Sequence, residues 1–171
     1  MIIWHSDAKY GGAVVNGWVL AAIITLALVI VVVKRLIGEP LNRRDLWVPP
    51  TVLTAIGLYT LSKTNGLHAD DYAWLVGGAA LGLTLGFLRG SSVVVYEKRG
   101  FLWQRYRGRT FAAIAGTLAV MLGYSVLGDQ FGMQPGARPI QLSIGVSFIG
   151  EALAVTRQGL ALRVPFAPER R

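Results

Sequence analysis

The sequence predicts an all-α integral membrane protein of five transmembrane helices, with a short cytoplasmic β-hairpin-like insert between the third and fourth. Three observations predict it. Hydrophobic residues make up 53% of the 171 positions and charged residues 15%, and the mean hydropathy is +0.50, outside the profile of an ordinary soluble domain. The apolar residues fall into blocks separated by short polar loops, rather than into amphipathic stripes. Lys and Arg fall unevenly among those loops, fourteen on one set and three on the other, which assigns the rich set to the cytoplasm.

The chain reads as a single membrane domain over residues 1–171. Its N-terminus, MIIWHSDAKYGG, is short, and Trp4 and Tyr10 suit a membrane interface. Ala13 to Val33 follows, long enough at 1.5 Å per residue to cross a hydrocarbon core. It lacks the basic start and small-residue cleavage site of a signal peptide, so it reads as a retained first span. Lys34 to Asp45 carries four basic residues and the helix breakers Gly38 and Pro40, and is placed in the cytoplasm. The short second span, Leu46 to Leu61, opens with Pro49 and Pro50, which suit a first helical turn because the N–H they lack would be unpaired there. Ser62 to Asp71 turns at Asn65-Gly66 and goes outside.

Tyr72 to Leu88 is the third span. Gly78, Gly82 and Gly86 recur along it at every fourth position, on one helical face where a second helix can approach closely. The insert, Arg89 to Arg109, holds two β-prone runs around Lys98-Arg99-Gly100, a spacing that suits a hairpin with glycine supplying positive φ. Its Lys98, Arg99, Trp103, Arg105, Tyr106 and Arg107 mix cations with aromatic rings, as a surface for anionic headgroups or a protein partner would. Thr110 to Leu127 is the fourth span, Gly128 to Pro139 an external return, and Ile140 to Thr156 a short fifth span before a basic cytoplasmic tail. The N-terminus is then external and the C-terminus cytoplasmic.

Chemistry-bearing residues are few. Glu151 is the one ionisable group well inside an expected span, and Ser143 and Ser147 precede it at four-residue steps on the same face. This face is a candidate intramembrane site; a structural pairing of Glu151 with a basic loop residue is the competing reading. With no cysteine, disulfides, thiolate metal sites and thiol redox chemistry are excluded. His5 and His68 have no ligand partners at metal-binding spacing. No phosphate loop, nucleophile motif or dinucleotide fingerprint is present. Neither a cofactor nor a metal is therefore expected. A partner in nucleic acid is not expected either, because the net charge of +8 sits in loops between apolar segments.

The run NRRDLWVPP at Asn42 to Pro50 and the insert GFLRGSSVVVYEKRGFLWQRYRGR, in this order of spans, resemble the CcdC-like family of small bacterial membrane proteins. The likeness covers about Val33 to Arg163; Glu151 and the Arg-rich insert depart from the family pattern. It implies a multi-pass protein of a bacterial inner membrane and no active site. The expectation for function is an accessory or scaffold protein that contacts lipids, a membrane protein partner or a second copy of itself. The alternative is a small ion-coupled transporter using the Ser143, Ser147 and Glu151 face.

Overall fold

A computed structural model of the chain describes residues 36–134, 137 and 139–168. The expected first span, Ala13 to Val33, and the N-terminal Trp4, His5 and Tyr10 before it lie outside the described residues. Within them the fold is mostly helical: β1 (Glu39–Pro40), α1 (Arg43–Ser62), α2 (Ala69–Ser91), β2 (Val94–Lys98), β3 (Phe101–Arg105), α3 (Gly108–Gln130) and α4 (Ile140–Ala161). Of these four helices, α2 and α3 are long and apolar enough to cross a membrane.

Helix α1 begins three residues earlier than the hydrophobic block suggests, because the Asn42 side chain accepts a hydrogen bond from Arg44 N at 2.9 Å and caps it. Pro49 and Pro50 consequently lie in the second turn rather than the first. Each removes an interior N–H, so their position has a cost that a first-turn position would not. Helix α2 is capped at the other side of the fold by Asp71, whose carboxylate accepts from His68 N at 3.0 Å. The same side chain accepts from Gln134 N at 2.9 Å, tying the loop after α3 to the start of α2.

Helix α4, expected as a short fifth span, runs for 22 residues and is the best covered of the helices. Small residues explain how. On one side Gly145 meets the backbone of Thr54 and Gly57 of α1 meets the backbone of Leu142. On the other, Gly150 meets the backbone of Leu83 and Phe87 in α2. The missing glycine side chains let the backbones approach closely at these points, as in close membrane-helix pairs.

The insert is a sheet of three strands in the order β1-β3-β2, all antiparallel, and not a lone hairpin. Arg99 (φ 56°) and Gly100 (φ 77°) form its two-residue turn, with Lys98 and Phe101 paired across it. Two successive positive φ values match the right-handed strand twist, as in primed hairpin turns. The third strand comes from the loop assigned only as a cytoplasmic linker: Glu39 pairs with Gln104 and Pro40 with Trp103. The insert is also shorter than expected, since α2 continues through Arg89 to Ser91.

Leu41, Val93, Leu102, Tyr106 and Val155 form the buried apolar cluster, with Val95, Phe111, Val164 and Phe166 packed against it. The tail belongs to this core. Leu102 N donates to Pro165 O at 3.0 Å and Ala167 N to Leu41 O at 3.0 Å, so Val164 to Pro168 lie along the sheet, while Arg170 and Arg171 of the expected basic tail lie outside the described residues. Along the helices the pattern reverses: Val52, Leu58, Val76, Leu88, Leu118, Leu122 and Leu160 are all exposed.

Candidate functional site

Glu151 is buried in α4, and a carboxylate there is costly unless charge and hydrogen bonds meet it. Two side chains supply them. Arg89, in the last turn of α2, donates from Nε to Glu151 Oε2 at 2.9 Å, and its Nη2 lies 2.6 Å from the same oxygen. Tyr106, just after β3, donates its hydroxyl to Oε1. Both carboxylate oxygens are thus engaged by buried partners. The guanidinium also lies over the Phe148 ring, 5.1 Å from its centre, one turn before Glu151.

The glycines let Arg89 reach. Gly86 faces the Ser147 backbone, and a Cβ on Gly90 would sit 2.7 Å from Glu151 O and 2.8 Å from Ala154 Cβ. Gly82 lies against the carbonyl of Ser143. Gly82, Gly86 and Gly90 therefore meet Ser143, Ser147 and Glu151 in step, so α2 and α4 run parallel here. Gly78 departs from this face and packs on the Tyr124 ring of α3, whose hydroxyl donates to Trp74 O at 2.7 Å.

The two sequence features, a glycine face and a serine–glutamate face, are the two sides of one contact. Ser147 Oγ is buried without a hydrogen-bond partner, and Arg89 Nη2, though in ion contact with Glu151, makes no aligned hydrogen bond. Arg89 and Tyr106 were not legible as partners of Glu151. The apolar pattern ends at Leu88 and puts Arg89 in the insert, whereas one more four-residue step from Gly86 to Gly90 extends the glycine series and carries the helix past it. Gln158 was missed too; its Nε2 donates to Gly90 O at 3.0 Å and fastens the ends of the two helices.

The expected cationic aromatic surface splits along the strand alternation. Tyr106 does not belong to it: it is buried, and its hydroxyl serves Glu151, a correction that follows from its place beyond the last outward-facing strand residue. The register puts Tyr96, Lys98, Phe101, Trp103 and Arg105 on one face of the sheet and Leu102, Gln104 and Val95 on the other, inner face. Lys98 Nζ lies 4.6 Å from the Trp103 ring centre. Arg99 is exposed in the turn, and Arg107 is exposed at the start of α3.

Thr54 and Thr84 bond back to their own helix, at Pro50 O and Ala80 O. Trp47 Nε1 instead bridges α1 to α4 through Thr156 Oγ1 at 3.3 Å. No group of His, Asp and Glu able to hold a metal ion occurs among the described residues, and His68 is exposed at the start of α2. Comparison with family models, curated proteins and solved structures finds no match. The resemblance to the CcdC-like family thus rests on its quoted residues alone.

Proposed function

We propose that this chain is a multi-pass inner-membrane protein of the CcdC-like kind that acts as an accessory or scaffold, without catalysing a reaction. Five spans, an external N-terminus and a cytoplasmic C-terminus are the arrangement proposed, with the three-stranded sheet inside the cell. Loop charge supports the orientation, and the apolar side chains left exposed along all four described helices suit a lipid surround. The observation that carries the scaffold reading is the state of Glu151. Its two oxygens are already taken by Arg89 and Tyr106, so the residue that would serve an ion pathway instead joins α2, α4 and the sheet. The cationic aromatic sheet face is left as the surface for anionic headgroups or a membrane protein partner.

Full-length protein extracted in mild detergent should migrate as a complex of fixed stoichiometry, with a second protein or a second copy. A lone monomer, together with proton-coupled uptake into proteoliposomes that Glu151→Gln abolishes, would replace this reading with the transporter alternative.

A further inference from the structure

A groove of about 240 Å³ runs between α2 and α4, lined by Leu83, Thr84, Phe87, Leu88 and Leu153. Its lining is apolar apart from Thr84, and the Thr84 hydroxyl is satisfied within its own helix by Ala80 O. Leu83, Leu88 and Leu153 are all exposed, Leu88 at 61%. Nothing in the groove offers a hydrogen bond, so an apolar chain fits it and a polar solute does not.

Its position selects among apolar chains. Leu88 immediately precedes Arg89, near the end of α2 that leads into the sheet. On α4, Arg157 follows Leu153 by four residues, so it stands one turn above the groove on the same helical face, and it is exposed. An apolar slot with a cation one turn above it matches a molecule with an acyl tail and an anionic head.

We propose that the α2–α4 groove is a binding site for one anionic phospholipid, with an acyl chain against Leu83, Phe87, Leu88 and Leu153 and the phosphate at Arg157. The site rests on the proposed membrane location and adds to it a discrete ligand. Because the groove lies over the same helix pair that Arg89 and Glu151 join, an acyl chain there would cover the apolar side of that contact.

The test is native mass spectrometry of the full chain in mild detergent, offered phosphatidylglycerol or phosphatidylcholine. Wild type should retain phosphatidylglycerol about fivefold better, the worth of one cation at a membrane surface. Arg157→Gln should bind both lipids alike. Leu153→Trp and the more exposed Leu88→Trp, which fill the groove, should retain neither, and inorganic phosphate should not displace the bound lipid. Unchanged preference in Arg157→Gln, wild-type retention in both Trp variants, or displacement by phosphate alone would overturn the proposal. Alkaline carbonate extraction of cell membranes separates the two levels. A chain released into the soluble fraction contradicts the membrane reading itself. A chain that stays in the membrane while its variants bind lipid as wild type does contradicts the groove alone.

Discussion

Glu151 and Arg89 are each about nine-tenths buried, so neither side chain has water to fall back on when its partner is removed. Glu151→Ala should destabilise the protein by about 3–5 kcal/mol, because it leaves the guanidinium unpaired. Thermal unfolding in detergent reads this. The double variant Arg89→Met, Glu151→Leu should cost less than Glu151→Ala, since apolar groups replace both charges together. Tyr106→Phe removes one hydrogen bond to a charged group, and a loss of about 1.5–3 kcal/mol is expected in the same melt. At the other end of α2, two backbone N–H groups, from Gln134 and His68, hold the Asp71 carboxyl below its usual value of 3.8. Asp71 precedes the apolar stretch that starts at Tyr72, outside the proposed span. A depressed carboxyl stabilises the fold above its unfolded pKa, and that contribution is lost as pH falls through the lowered one. Asp71→Ala should therefore speed amide exchange at Gln134 at neutral pH, with the difference from wild type closing as pH falls below 3.8.

Between helices, glycine position decides what a methyl group does. A Cβ on Gly86 would collide with the Ser147 backbone, which cannot yield without moving α4. Gly116 on α3 has open space around its would-be Cβ. Gly86→Ala should lower stability by about 1–3 kcal/mol through forced separation, whereas Gly116→Ala should raise it by up to about 1 kcal/mol through helix propensity. Chemical denaturation of both variants checks the sign of each. The glycine series was readable from its four-residue steps, of which Gly82, Gly86 and the further Gly90 face α4, while Gly78 has turned toward Tyr124 of α3. The hairpin was readable because Arg99-Gly100 sits between two β-prone runs. The third strand was not, since Glu39-Pro40 is two residues long and carries no alternation to read. The inward tail was readable only in part: Leu162, Val164 and Phe166 alternate with Arg163 and Pro165, but the arginines and prolines dominate the composition. The partners of Glu151 were hidden for a different reason, because Arg89 and Tyr106 lie 62 and 45 residues away and meet it only in three dimensions.

Among the described residues, burial is densest where the sheet meets the ends of α2 and α4, and sparser along the outward helix faces. A protein surrounded by water would be expected to cover those helix faces, while one surrounded by lipid has no need to. The arrangement proposed is therefore a helical layer in the bilayer, clamped at its cytoplasmic end by the Arg89, Glu151 and Tyr106 contact and a three-stranded sheet. Because the chain contains no cysteine, single cysteines can report its orientation without background. Asn65→Cys, in the exposed loop before α2, and Glu97→Cys, exposed near the tip of β2, are the two positions to compare in whole cells treated with a membrane-impermeant maleimide. Labelling of Asn65→Cys in intact cells, and of Glu97→Cys only after permeabilisation, is the result predicted. Labelling of Glu97→Cys in intact cells would contradict the cytoplasmic sheet and the membrane arrangement built on it.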